Sequence, residues 1–280
     1  MKDAPFNAKK PDDSVNISKE NPLASFLRLL LGAVAVVTCL YLALGVASDF
    51  AVRFVSHQKE RELFRFISLK KYVSPPKTPW EGQPELESLL NKVLKNSQNV
   101  EPQSVLVTCS KNINASAHPG QHLVLTSSLL ETMRSEVGLA FVLAHEIAHM
   151  QLQHSLKSYV RGRSWMMAHF LLGLANDSFF DEIESSTLTL NALSFSREQE
   201  READSLAMKM ILATYGHLEN AEELFERTKN RASLQWTTAF LSTHPSDPDR
   251  IERIKMHPNY LNRDPQKKPL PWNVPGPRCK

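Results

Sequence analysis

The sequence predicts an α+β protein, mostly helical, with a small β-sheet and one apolar helix ahead of the folded domain. Three observations carry this. Leu29–Ala47, "LLLGAVAVVTCLYLALGVA", is an uncharged apolar run long enough to span a bilayer as a helix. Two stretches read as strands, "SVLVTCS" at 104–110 and "QHLVLTSS" at 121–128. Several other segments repeat apolar residues at helical spacing.

Taken in order, residues 1–25 are polar and rich in Pro, Asn, Asp and Lys, and predict a disordered tail. Residues 26–48 form the expected anchor. A cleaved signal peptide is the rival, because "GVAS" at 45–48 offers small residues to a signal peptidase, but the run and the tail before it are long for one. Orientation is open: Lys9, Lys10, Lys19 and Arg28 on one side balance Arg53, Lys59, Arg61 and Arg65 on the other. Residues 49–82 are amphipathic and then broken by "SPPKTPWEGQP", the pattern of a linker. The domain is expected over 83–262. It opens with a helix in "ELESLLNKVLKN", followed by the two strands with Pro119–Gly120 as turn signals between them. From Ser127 and Ser128, both able to cap a helix, one helix is expected to run to about Val160. The apolar run 165–175 is short for a span and suits dipping into an interface or covering a cleft. Helices are expected over 187–216 and 220–230, and an irregular Pro-rich tail over 263–280.

Composition removes some functions. The net charge is +3, and no basic patch is interleaved with aromatics, which argues against a nucleic-acid partner. Cys39, Cys109 and Cys279 include no CxxC pair, so neither a disulfide scaffold nor a cysteine-ligated metal is predicted. A Cys109–Cys279 bridge, open only in an oxidising compartment, is not the expectation.

The chemistry concentrates in "LAHEIAHMQLQH", 143–154. His145 and His149 stand one helical turn apart and can present two imidazoles to one ion. Glu146, beside the first, is placed to act on a water held by the metal rather than on the metal itself. This is the physical content of HExxH: two neutral nitrogen ligands for Zn²⁺ and a general base. A third ligand is needed, and "SREQEREAD", 196–204, offers four acids. Most such runs are solvated helix faces. On a helical wheel centred on Ala203, Leu206, Ala207, Met210 and Ile211, Glu200 lies about 50° from the apolar centre. Asp204 lies at about 90°, Glu202 at about 110° and Glu198 on the far side. Glu200 is therefore the candidate ligand, and Asp204 the residue to hydrogen-bond a ligating imidazole from behind. His154, five residues past His149, is off the metal-facing row and reads as structural.

"HEIAHMQLQH", "SFSREQEREADSLA" and "LSTHPSDPDRI", in that order, resemble the zinc metallopeptidases that include HtpX, BepA and the CAAX prenyl endopeptidase. The resemblance covers roughly 85–256. It implies a zincin-like fold behind one transmembrane helix. It implies one Zn²⁺ held by His145, His149 and Glu200, with Glu146 as base and Asp204 behind the ligands. His244 and Arg250 match the family's late histidine and arginine, implied to stabilise an oxyanion or cover the metal; a loop histidine before a helix start near Asp247 is the alternative. Asn114, Ala115 and Ser116 match approximately an edge strand on which substrate pairs as an added strand.

The expected protein is thus a membrane-anchored zinc endopeptidase in envelope or membrane protein quality control, acting on polypeptides such as misfolded membrane or envelope proteins. It touches lipid through its anchor. The resemblance favours a bacterial inner membrane and a periplasmic domain; a cytoplasmic-facing domain or secretion after signal cleavage are alternatives. An assembly factor or chaperone using the same groove, or an amidase acting on a non-peptide amide, are the rival functions.

Overall fold

The computed structural model of the chain describes residues 21–65, 74–76, 80–171, 195–229, 244, 249–262 and 270–279, with the backbone alone given for 165–171. Two compact units divide the chain, Met1–Leu44 and Gly45–Lys280. In the first, the described residues belong almost wholly to the start of helix α1 (Pro22–Val52). Asn21 accepts a hydrogen bond from the Leu23 amide, and Pro22 takes the first helical position, where a missing N–H costs nothing. The helix begins inside the stretch expected to be a tail and runs four residues past the expected anchor. It is long and apolar enough to cross a membrane.

In the second unit, α2 (His57–Phe64) and α3 (Gln83–Leu94) precede the sheet. Strand β1 (Ser104–Thr108) runs parallel to β3 (His122–Thr126), and β2 (Ala115–His118) pairs antiparallel with β3, giving the order β1–β3–β2. Residue patterning alone shows two strands; the third, "ASAH", has no β-branched or aromatic residue to announce it. The β2–β3 turn needs Gly120, whose φ is +82° and whose Cβ, if present, would fall 2.5 Å from that of Phe64.

The single helix expected from 127 to 160 is three. Helix α4 (Ser127–Thr132) is capped by Thr126, whose side chain accepts from the Leu129 amide. The chain then leaves helical geometry at Met133, and Ser135 caps α5 (Glu136–Gln151) by accepting from the Gly138 amide. Gln153, at φ 54°, separates α5 from α6 (His154–Leu171). Helix α7 (Arg197–Tyr215) opens with a reciprocal Ser196–Gln199 capping box and closes on Gly216 at φ 80°. It therefore starts ten residues later than expected, with Phe195 and Ser196 non-helical and 187–194 outside the described residues. Helices α8 (Glu223–Lys229) and α9 (Arg250–Lys255) follow. The cleft-covering role expected for 165–175 falls on residues whose side chains are not described.

Helix α5 is the centre of the domain. Every residue from Val137 to Met150 is buried, as suits a helix apolar on all sides. Helices α3, α7 and α8 and strand β2 pack around it, and Phe141 meets Phe225 edge to face. The C-terminal residues, though irregular, are strapped to this core. Leu270 O accepts from the Glu136 amide, the Trp272 amide donates to Arg134 O, and the Trp272 side chain is buried. The strap ends in a Cys109–Cys279 disulfide, against expectation. Closing a 170-residue separation is worth about 5 kcal/mol in the chain-entropy account. Cys39 is unpaired.

Candidate metal centre

Helix α5 carries His145 and His149, 1% and 0% exposed; α7 lies along it and brings Glu200 and Asp204, 0% and 1% exposed. Glu198 and Glu202 on the same helix are exposed. His244 joins them, fully buried. His145 Nε2 stands 3.0 Å from His149 Nε2 and 3.2 Å from His244 Nδ1. Glu200 Oε1 is 3.3 Å from His149 Nε2 and 3.0 Å from His244 Nδ1, and its Oε2 is 3.5 Å from His145 Nε2.

These spacings fit a tetrahedral ion. Bonds of about 2.1 Å to zinc imply ligand–ligand edges of about 3.4 Å. One ligand atom from each of the four residues lies within 4.8 Å of the others. Ring nitrogens facing one another in a dry interior are costly unless a cation lies between them. The electrostatics agree. Burial opposes charge on His145, yet Glu200 and Asp204 raise its imidazole to about 10, so the cluster calls for positive charge. Burial holds His149 well below its usual range, in the neutral form a ligand needs. Burial also works to raise the Glu200 carboxyl, but His244 and His145 hold it well below the usual carboxylate range.

Glu146 stands apart from the four. It is fully buried, its Oε1 is 3.4 Å from His244 Nε2, and neither carboxylate oxygen has a hydrogen-bond partner among the described residues. Asp204 Oδ1 lies 3.1 Å from His145 Nδ1, the far side of that ring. On the far side of His149, Nδ1 is 3.0 Å from His154 Nδ1, and His154 Nε2 is 3.1 Å from Glu202 Oε2. With His149 Nε2 turned to an ion, its Nδ1–H donates to His154, whose Nε2–H donates to Glu202. His154 is thus a support for a ligand, a contact that helical spacing does not show. Burial pushes its imidazole down to about 3.

Arg250 sits differently from the oxyanion helper expected of it. Its Nη2 donates to Glu200 Oε2 at 2.6 Å and its Nε to Asp204 Oδ2 at 2.7 Å, with Arg253 adding a 3.2 Å contact to Asp204. The guanidinium is engaged by the two acids and stacked over the Phe225 ring. Asn114, Ala115 and Ser116 lie on or next to the edge strand β2, buried, and α5 packs against that strand; none belongs to the four-residue cluster. Phe195, which the sequence motifs do not single out, stacks its ring on His149 at 4.0 Å and leans 5.3 Å from His244. Only its place just ahead of the acid-rich helix hinted at it.

The family model described as Peptidase family M48 matches residues 81–257. Among curated proteins, the chain is 31% identical to "Mitochondrial metalloendopeptidase OMA1" of Schizosaccharomyces pombe over 51% of this chain and 42% of that one. It is 28% identical to "Putative beta-barrel assembly-enhancing protease" of Vibrio cholerae over 62% and 39%. It is 25% identical to "Beta-barrel assembly-enhancing protease" of Yersinia pestis over 64% and 40%. The match thus spans less than half the length of these relatives.

Proposed function

The chain belongs to peptidase family M48, and from that premise we propose that it is a membrane-anchored zinc endopeptidase. The observation that carries this is the convergence of His145, His149 and Glu200 on one point beside a buried Glu146 whose carboxylate has no hydrogen-bond partner among the described residues. Zinc bound by these three residues would supply a Lewis acid and lower the pKa of a water. Glu146 takes the proton of the attacking water at its carboxylate and passes it to the leaving amine. Asp204 fixes the His145 ring from its Nδ1 side, and His154 fixes His149. Arg250 acts as a positioning residue, holding the Glu200 and Asp204 carboxylates in place. Main-chain pairing at β2 would align a polypeptide, with Asn114, Ala115 and Ser116 as its contacts.

Helix α1 is the anchor in this reading. The Cys109–Cys279 bridge supports an oxidising compartment, and hence a periplasmic rather than cytoplasmic domain at a bacterial inner membrane. Envelope protein quality control follows from that placement and from the assembly role printed in the names of two relatives.

His244 brings Nδ1 into the ligand group, which favours a latch over an oxyanion helper. A fourth protein ligand closes a zinc site in the structural manner. Digestion of casein by the zinc-loaded chain, with and without chelator, tests the proposal. Cleavage that stops with chelator is expected, and His244→Ala is expected to cut faster with zinc retained. Casein bound but never cut would favour an assembly factor; wild-type cleavage by His244→Ala would remove the latch.

A further inference from the structure

Strand β2, which aligns the peptide in the proposed function, and helix α5, which carries two of the ligands, are separate segments. Each is followed by a turn through the left-handed region. Beyond β2 the chain passes through Gly120 and Gln121, at φ 82° and 63°; beyond α5 it passes through Gln153, at φ 54°. A glutamine persists there only where its surroundings hold it. For both turns part of the holding comes from α2, which lies ahead of the stretch that matches the family.

Glu60 on α2 joins the two turns. It is only 2% exposed. Its Oε1 accepts from the Gly120 amide at 3.0 Å and its Oε2 from Gln153 Nε2 at 3.1 Å. Gln153 Nε2 also donates to Val55 O, and Arg61 Nη1 reaches Gln121 Oε1 at 3.4 Å. Burial works to push the Glu60 carboxyl up, and the N–H groups of Gln153 and Gly120 work against it. Each carboxylate oxygen is engaged by a different turn, so the side chain is a bridge rather than a space-filler, and an acid is a costly space-filler in a dry interior. Gln153 is followed by His154, which supports His149, and then by Ser155, whose Oγ donates to Ala117 O within β2 at 2.6 Å. The turn that Glu60 holds is therefore the point from which both the ligand His149 and the strand β2 are reached.

Resting on the reading of the chain as an endopeptidase, we propose that Glu60 is a positioning residue for that reaction, fixing the peptide-aligning strand β2 at its working distance from the ligand-bearing helix α5. Glu60 is outside the four-residue cluster and acts through Gly120 and Gln153. A peptide paired with β2 then arrives in register with the metal. An error of about 1 Å in such a placement costs up to about 100-fold in rate.

The test measures kcat, KM, zinc affinity and melting temperature for the full, zinc-loaded chain in liposomes, with a casein peptide as substrate. Glu60→Ala removes the bridge, and Gln153→Gly removes one end of it at a φ that suits glycine. Each is expected to lower kcat/KM about 10- to 100-fold, mainly through KM, with zinc affinity within about ten-fold of wild type. The double variant is expected to be no worse than Glu60→Ala alone, because either change breaks the same bridge. Glu60→Gln, which keeps the size and an acceptor for the Gly120 amide, takes the place of Glu60→Ala in this cycle if the alanine variant does not fold. A lower melting temperature with wild-type kcat and KM would make Glu60 structural only and overturn the inference. Losses that multiply in the double variant would overturn it too, as would loss of zinc from the Glu60 variant. If the unaltered chain makes no chelator-sensitive cut, the protease reading falls, and the inference with it.

Discussion

Glu146→Gln is expected to bind a full equivalent of zinc and to cut at a rate lower by roughly 100- to 10,000-fold, the usual worth of a positioned general base. The glutamine has the same shape and occupies the same buried place on α5, so packing is kept. Glu146 is not among the residues whose ligand atoms converge, so metal is kept. What is lost is the proton acceptor. Both carboxylate oxygens are buried and without a hydrogen-bond partner among the described residues, a costly arrangement that a purely structural acid would not need. Zinc content and casein cleavage of the purified variant decide the matter. Loss of stoichiometric zinc would make Glu146 a ligand, and near-normal cleavage would remove it as the base.

Glu200→Ala is expected to lose zinc, with affinity down by more than the 10- to 100-fold typical of an outer support, whereas Glu198→Ala keeps it and Glu202→Ala, which reaches the ligands only through His154 and His149, loses no more than that outer-support factor. The three acids share one helix and differ in direction: Glu200 is fully buried among His145, His149 and His244, and the other two are exposed. Removing Glu200 also leaves Arg250 with Asp204 as its remaining acid partner among the described residues, so some stability is lost with the metal. Glu200→Gln, which can still accept from Arg250, separates the two effects: it should melt closer to wild type and still bind zinc weakly. Equal zinc in Glu198→Ala, Glu200→Ala and Glu202→Ala would exclude Glu200 as a ligand.

The parts of this site that lie on one helix could be read in the sequence. His145 and His149 follow from a turn of helix, and the burial of Glu200 from its angle to the apolar face. Asp204 shows where that reasoning ends. The wheel puts it at the edge of the face, yet it is buried, because Arg250 and Arg253 on α9 close over it. The support of His149 by His154 depends likewise on a turn at Gln153 that starts a new helix. The fold failed to show where signals competed. Ser127, Ser128 and Ser135 can all cap a helix; Thr126 and Ser135 do so, splitting the expected helix. Residues 49–64 read as a charged linker because the partners that bury Glu60, Gly120 and Gln153, lie far along the chain. The Cys109–Cys279 pairing depends on where the C-terminal strap runs, which composition does not disclose.

Anomalous scattering from a crystal at the zinc edge tests directly whether this chain holds one zinc ion between helices α5 and α7. A single peak per chain is expected, bonded to His145 Nε2, His149 Nε2 and a Glu200 carboxylate oxygen at about 2.0–2.2 Å, with His244 in the fourth position. A zinc-replete protein whose peak lies elsewhere, or a centre with those three side chains and no metal, would contradict it.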